Sequence, residues 1–212
     1  MIIDTEWEEF GNKEQLDIVK NQLDRAIDIG SLHIGKQTQD KFVAGLYLGE
    51  HVRLMLLEVE RSGAVESDLI AEKLKDKWVF KSTYISHVLQ DDFEKKNFSN
   101  TKKILGEIGF SDPTDSVCTA VYRCCYVVSQ RGAGILAAAI CALLQHVGKK
   151  DVLIGIAGSL YEEHPLYKTL LEDWMNTLLN NQIKYTLVSA EAATAKGAAL
   201  VAATAEKLGL GN

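Results

Sequence analysis

The C-terminal third of the chain alternates strands and helices, and this order constrains the fold more than any other feature of the sequence. Residues 152–156 form an apolar, β-branched run that is typical of a buried strand. A helical segment at 165–179, a second strand at 183–188 and a helix of small residues at 197–208 follow it. Because many helices precede this alternating unit, the sequence predicts an α/β fold that is rich in helix.

Helices dominate the first two thirds of the chain. Residues 15–27 and 35–61 carry apolar side chains at helical spacing, and each segment is predicted to form one helix. Residues 66–108 are interpreted as several short helices with polar surfaces, and residues 1–3 as a strand or the end of a strand.

A helix-start signal at residues 111–113 combines Ser, Asp and Pro. We expect a helix to follow to about residue 130 and a second one over 134–146, with residues 131–134 separating or kinking them. The apolar run 132–144 is too short to cross a bilayer. It is therefore predicted to form a buried, alanine-rich helix, and no membrane span is expected.

The charge of the chain argues against one class of partner. Its 212 residues carry a net charge of −6 and no basic run stands out. Nucleic-acid binding usually needs a face rich in Lys and Arg, so nucleic acid is not an expected partner. Pro113 and Pro165 are the only prolines and no low-complexity linker occurs, so we expect residues 1–212 to form a single domain.

The cysteines fall in apolar helical stretches and form no CxxC pair. Zinc sites and disulfide frameworks have characteristic spacings, so reduced core thiols are the better interpretation. The N-terminus also lacks the layout of a signal peptide, and together these features predict a cytoplasmic protein. The cysteines concerned are Cys118, Cys124, Cys125 and Cys141.

Two junctions between a strand and a helix are built of small residues, at 155–159 and at 189–197. In an open α/β sheet, ligands collect beyond the carboxyl ends of the strands. Small side chains let a ligand approach the backbone, and a helix N-terminus offers free N–H groups to an anion. The junctions therefore indicate either a nucleotide cradle or tight packing of helices on strands. Neither matches a P-loop or a Rossmann motif.

Polar side chains near the N-terminus are of the kind that bind sugars. Glu6 follows the first predicted strand, and Gln37 and Asp40 lie three residues apart on a predicted helix, so they share a face. Carboxylates and amides can hold several hydroxyl groups in fixed geometry. Exposed acids are also common on any protein surface, so both interpretations stay open.

Five segments, in this order and spacing, resemble the hexokinase family of the actin-like ATPase fold. The resemblance implies a partial actin-like ATPase (ribonuclease H-like) large domain, helix-rich with a small mixed sheet, that corresponds to the C-terminal part of the hexokinase large domain. The segments are Asp4–Trp7 with Phe10-Gly11, Gly35–Gln37, Gly45–Arg53, Gly155–Pro165 and Lys196–Ala199.

The resemblance implies ATP-dependent phosphorylation of a hexose such as glucose to the 6-phosphate, a reaction of glycolysis with Mg-ATP as cosubstrate. It implies that Glu6, Gln37 and Asp40 contact the hexose, and it assigns no catalytic residue and no metal ligand to this chain. The residues implied at the adenine nucleotide (ATP or ADP) are Gly45, Leu46, Ser82, Thr83, Tyr84, Ile85, Ser86, Ser159, Leu160, Tyr161, Glu162 and Glu163.

The family places its small domain, its phosphate loops and its catalytic Asp before the segment that matches Asp4–Trp7. We therefore expect that this chain does not transfer a phosphoryl group alone, since no general base is present. We also expect an exposed sheet edge that a homodimer or a partner chain covers.

Several residues depart from the family pattern, mostly on the nucleotide side. Ala157 replaces an Asp, Glu162 replaces a common Lys, and residues 192–195 replace an Asp-Gly-Ser-Gly loop, whereas Asp40 only shortens a Glu. An acid repels phosphates, and alanine crowds a ligand where glycine would not. Three functions stay open: part of an active hexokinase, a catalytically silent hexokinase-like sugar-binding or regulatory protein, and a structural or interaction domain.

Overall fold

The computed structural model describes residues 4–65, 69–190 and 192–209. The strand predicted at residues 1–3 lies outside this part of the chain. The 3-10 turn Trp7–Glu9 comes first, and the elements that follow are α1 (Gln22–Gly30), α2 (Asp40–Val43), α3 (Gly45–Arg61), α4 (Leu69–Lys73), α5 (Ser82–Val88), α6 (Ser99–Ile108), α7 (Asp115–Val147), β1 (Asp151–Ile156), α8 (Ser159–Glu163), α9 (Tyr167–Leu179), β2 (Lys184–Ser189) and α10 (Ala193–Lys207).

The predicted α/β fold is confirmed, with β1 and β2 as the described sheet. The strands are parallel and pair in register from Asp151 opposite Lys184 to Ile156 opposite Ser189, with α8 and α9 between them in the chain. A mixed sheet was expected, and the two described strands run in the same direction. One face of β1 packs on the cluster formed by α7 and α9, whereas Leu153 on the other face is 69% exposed.

Helix α7 is continuous over 33 residues, so the predicted break at residues 131–134 is wrong. A Cβ on Gly132 would lie 3.3 Å from the Phe42 carbonyl oxygen, and one on Gly134 would lie 3.1 Å from the Trp174 ring. The small residues therefore permit close approach of α2 and α9 to α7 rather than ending a helix. Local sequence could not distinguish these two uses of glycine.

The start of α7 also differs by a few residues from the predicted signal. Thr114 is the N-cap, and its hydroxyl accepts a hydrogen bond from the Val117 N–H at 3.3 Å. Pro113 therefore precedes the helix instead of lying in its first turn. A threonine cap satisfies one of the N–H groups that a helix start leaves free.

By length and composition alone, α7 could cross a membrane, which the shorter predicted run could not. This is weak evidence, because the central helix of a folded core passes the same test. Cys118 and Cys125 pack in a first core with α3 and α5, and Ala137 packs in a second core with α9. Their side chains are fully buried, so we describe α7 as a core helix.

The helices before α7 are shorter than their apolar spacing predicts. The helix predicted over 15–27 begins at Gln22, because the Asn21 side chain accepts from the Leu23 and Asp24 N–H groups and Asp24 accepts from the Asn21 N–H. This reciprocal capping box fixes the helix start. The helix predicted over 35–61 is divided at Ala44, whose backbone is extended between α2 and α3.

Candidate functional site

Backbone hydrogen bonds join the two segments that carry the predicted hexose residues. The Gln39 N–H donates to the carbonyl oxygens of Glu8 at 3.2 Å and Phe10 at 3.1 Å. The turn after Glu6 therefore lies directly against the segment that leads into Asp40. Residues some thirty positions apart in the chain are brought to one place by a single amide.

Gln37 and Asp40 do not share a helix, so that part of the prediction is wrong. Gln37 has a left-handed backbone with φ of 50°, as Gly35 does with φ of 72°. Asp40 is the first residue of α2. Two left-handed residues within three positions turn the chain too sharply for a helix.

The Asp40 carboxyl is half-buried beside another acid. Burial raises its pKa, and the negative charge of Glu8 raises it further. Burial disfavours the charged form of a carboxyl, and a like charge nearby acts in the same direction. Asp40 therefore takes up a proton more readily than an exposed aspartate does.

A groove of about 380 Å³ lies where these segments meet α7. Glu6 is the only one of the three predicted hexose residues among its described lining residues. The turn and Gln39 form one part of its lining, and apolar side chains of α7 form the rest. The lining residues are Thr5, Glu6, Trp7, Phe10, Gln39, Ala139, Ala142 and Leu143.

Two of the segments predicted at the nucleotide, the start of α3 and α5, are in direct contact. The Gly49 N–H donates to Ser82 Oγ at 2.8 Å, and a Cβ on Gly49 would lie 2.2 Å from the Phe80 carbonyl oxygen. Only glycine fits this approach. Ile85 points into the core and is fully buried, whereas Leu46 at the start of α3 is largely exposed.

The third predicted segment, α8, lies at the carboxyl ends of the strands. Ser159, Glu162 and Glu163 are exposed there, while Tyr161 packs in the second core. Ser189 Oγ donates to the Glu162 carboxylate at 3.3 Å. A negative charge therefore stands where the strand ends of an α/β sheet usually bind ligands.

The loop that follows β2 has a strained conformation. Ala192 has a left-handed backbone with φ of 52°, a region that glycine adopts much more readily than alanine.

Within residues 4–65, 69–190 and 192–209, no group of three or more His, Cys, Asp or Glu side chains could hold a metal ion.

Sequence reasoning missed an ion pair that joins α1 to α7. Arg131 Nη1 and Nη2 donate to the two carboxylate oxygens of Asp24 at 2.7 and 2.8 Å, and the guanidinium lies 4.8 Å from the Phe42 ring centroid. The partners are too far apart in the chain for any spacing rule to find them. The ion pair holds α1 against the core helix, and the contact with Phe42 holds α2, which begins with Asp40, against the same helix.

Polar residues inside the matching segment Gly45–Arg53 stabilise the scaffold. Arg53 donates to both oxygens of Glu50, at 2.8 and 2.6 Å, and to the Leu74 carbonyl oxygen at 2.8 Å. The Trp78 N–H donates to the same Glu50 carboxylate at 2.7 Å. Both charged side chains are buried, so their role here is to fix helix α3 against the following loop.

His164, in the matching segment that ends at Pro165, is likewise held in the core. Its Nδ1 accepts from the Leu166 N–H at 3.2 Å and its Nε2 lies 2.9 Å from Ser129 Oγ. Burial lowers its pKa to about 4. The ring is therefore neutral at physiological pH and acts as a packing residue that joins α7 to the start of α9.

Comparison with known proteins identifies the family. The sequence model described as Hexokinase matches residues 1–204. A hexokinase of Brugia malayi is 35% identical over 208 residues, 98% of this chain and 36% of that protein. Hexokinase-1 of Homo sapiens is 34% identical over 215 residues, 98% of this chain and 23% of that protein. The chain thus spans about a quarter to a third of the length of these relatives.

Solved structures agree with the sequence comparison. A hexokinase from Schistosoma mansoni, solved in complex with glucose, superposes with a TM-score of 0.80 at 29% identity, over 88% of this chain and 42% of that one. A second hexokinase structure, at 23% identity and a TM-score of 0.72, shows the fold alone. The chain belongs to the hexokinase family and has its actin-like ATPase fold.

Proposed function

We propose that this chain binds a hexose, with glucose as the first candidate, through Glu6, Gln37 and Asp40. The observation that carries the proposal is the pair of backbone hydrogen bonds from Gln39 to Glu8 and Phe10. These bonds hold the two segments with the predicted sugar residues against one another, at the edge of a groove that Glu6 lines.

The chemistry of the groove suits a sugar. A carboxylate accepts hydrogen bonds from two adjacent hydroxyl groups, and charge-assisted bonds of this kind are stronger than neutral ones. An apolar wall opposite the carboxylate gives the C–H face of a pyranose a surface to contact. Asp40 and Gln37 are not among the described lining residues of the groove, so their contact with the sugar rests on the family resemblance alone.

Within a complete hexokinase reaction, the chain would supply sugar-binding side chains and part of the adenosine site. The contact between Gly49 and Ser82 supports a wall built from α3 and α5. The phosphate end does not fit Mg-ATP, because Glu162 carries a negative charge at the strand ends and Ala192 stands in a left-handed position. We therefore derive no step of phosphoryl transfer through these residues.

That misfit favours a second candidate, a hexokinase-like protein that binds sugar without transferring phosphate, as a regulator or a partner of another chain. Phosphorylation of glucose in a coupled assay distinguishes the two functions. ATP-dependent turnover by this chain would exclude the second candidate.

Two further proposals concern the cellular compartment of the protein and its assembly with another chain. The four cysteines are buried and unpaired, which supports a reducing compartment such as the cytoplasm. We still expect a second copy or a partner chain to cover an exposed sheet edge, and the exposed Leu153 side chain on β1 would give such a partner an apolar contact. Both stay predictions.

Titration calorimetry with glucose tests the sugar site. We expect Glu6→Ala to weaken binding about tenfold to a hundredfold, because it removes a charged hydrogen-bond acceptor. Glu107→Ala, which changes an exposed acid on α6, is the matched control and should bind as the unmodified protein does. Equal affinities of Glu6→Ala and the control would refute the assignment of Glu6.

A further inference from the structure

The side chain of Gln39 stands out among the residues that line the groove. It is 3% exposed, and its Nε2 has no hydrogen-bond partner among the residues that the structure describes. Buried polar groups in folded proteins are nearly always paired, because leaving one unpaired is costly. Gln39 lines the groove, so a ligand bound there could accept the hydrogen bond that its amide nitrogen lacks.

We propose that Gln39 is a further hexose-binding and specificity-determining residue, whose side-chain amide donates a hydrogen bond to a hydroxyl oxygen of a pyranose in the groove beside Glu6. The inference rests on the proposed sugar-binding function and deepens it. Gln39 is not one of the three residues that the family resemblance implies.

The chemistry of the two polar groups is complementary. The Glu6 carboxylate can only accept hydrogen bonds, and the Gln39 amide nitrogen can only donate them. A hydroxyl group does both, so one sugar hydroxyl can donate to the acid while it, or its neighbour, accepts from the amide. A ligand with only acceptors or only donors would satisfy one group and leave the other unpaired.

Apart from Thr5, the remaining described lining residues of the groove are apolar or aromatic, which narrows the class of ligand further. Ala139, Ala142 and Leu143 of α7 face the turn that carries Trp7 and Phe10. A pyranose presents hydroxyl groups at its edge and C–H groups on its faces. It therefore matches a groove with a polar edge at Glu6 and Gln39 and an apolar wall on the helix.

The backbone of Gln39 is already fixed, which leaves its side chain as the adaptable part. Its N–H is shared between the carbonyl oxygens of Glu8 and Phe10. The terminal side-chain torsion of glutamine has a broad energy well, so the amide can turn toward the groove while the backbone stays in place. The donor can thus reach a ligand without movement of the segments that form the site.

The test uses Gln39→Met, which keeps the length of the side chain and removes its polar atoms, with Gln39→Leu as a second variant. Gln90→Met, at an exposed glutamine, is the matched control. We expect both Gln39 variants to melt at the same temperature as the unmodified protein or higher, and to bind glucose about tenfold more weakly. The control should change neither value.

A set of monodeoxyglucoses gives a readout that a purely structural role would not move. For the deoxy sugar that lacks the hydroxyl held by Gln39, the unmodified protein and Gln39→Met should bind with equal affinity. For the other deoxy sugars, the tenfold difference should persist. A difference that is the same for every sugar would overturn the assignment of a specific hydroxyl contact.

The outcomes separate this inference from the function on which it rests. If Glu6→Ala loses glucose and both Gln39 variants bind it normally, the Gln39 inference is wrong and the proposed function stands. If the Gln39 variants lose several degrees of melting temperature, the amide has a structural partner and the inference is wrong. If the unmodified protein binds no hexose, the proposed function fails and the role of Gln39 fails with it.

Discussion

Replacing Arg131 by Met tests whether the ion pair with Asp24 holds the site segments on the core helix. The change removes two charge-assisted hydrogen bonds to Asp24 and one from Nη2 to the Val19 carbonyl oxygen at 2.9 Å. It also removes the guanidinium from the face of the Phe42 ring. The length of the side chain is largely kept, so packing changes little.

The magnitude follows from what remains buried. Breaking a buried ion pair costs about 3–5 kcal/mol, because the remaining charge loses its partner but stays out of water. The Asp24 side chain is 6% exposed and that of Arg131 is 28% exposed, so the loss belongs at the low end of that range. Asp24 also keeps its bond from the Asn21 N–H at 2.7 Å. With the lost contact to Phe42, we expect the free energy of unfolding to fall by about 3–4 kcal/mol.

Urea unfolding, followed by circular dichroism, measures this loss. Arg123→Met, at an exposed arginine on the same helix, is the control and should cost less than about 1 kcal/mol. A double variant with Arg131→Met and Asp24→Asn removes both charges, keeps a side-chain oxygen that can accept from the Asn21 N–H, and should regain at least half of the stability. A single-variant loss below about 1 kcal/mol, or a double variant as unstable as Arg131→Met, would refute the reasoning.

Two further predictions concern packing and pH. Gly49→Ala places a Cβ 2.2 Å from the Phe80 carbonyl oxygen, and we expect it to lower the free energy of unfolding by about 2 kcal/mol or more. Gly106→Ala, whose Cβ would meet no described atom within 4 Å, should instead raise that free energy by about 0.5–1 kcal/mol in urea unfolding. If the two variants changed the free energy of unfolding equally, the packing argument would be contradicted. Burial lowers the pKa of His164 to about 4, below its ordinary value of 6.5, so below pH 6.5 the unfolded chain binds a proton that the folded protein does not. The contribution of His164 to the free energy of unfolding should therefore be complete above about pH 6.5 and should fall by up to about 1.4 kcal/mol per pH unit toward pH 4. Urea unfolding at pH 7 and pH 5 measures this fall, and the His164→Gln variant should show a smaller one.

The parts of the fold that depend on local pattern could be predicted from the sequence. The β-branched run at 152–156 and the strand at 183–188 form β1 and β2 almost as expected, because consecutive β-branched and aromatic residues favour a strand. The predicted burial of the first strand is wrong, because Leu153 on one of its faces is largely exposed. The division of residues 35–61 could not be predicted. Its cause is the conformation of Gly35 and Gln37 and the extended backbone of Ala44, which apolar spacing does not register.

Features that depend on residues far apart along the chain could not be predicted from the sequence. Gly132 and Gly134 look like a helix break until Phe42 and Trp174 are found against them. The candidate site shows the same limit. Family motifs pointed to Glu6, whereas Gln39 became a candidate only when its missing hydrogen-bond partner could be seen.

The uninterrupted course of α7 has a mechanical consequence for the groove. A helix of 33 residues is a strut about 50 Å long. Its first half is anchored in the core with α3, and its second half supplies the groove wall at Ala139, Ala142 and Leu143. A ligand cannot displace this wall without bending a helix whose first half is packed in the core. The groove should therefore bind a ligand as a preformed site. The heat capacity change on binding should reflect only the surfaces that the protein and the ligand bury against each other.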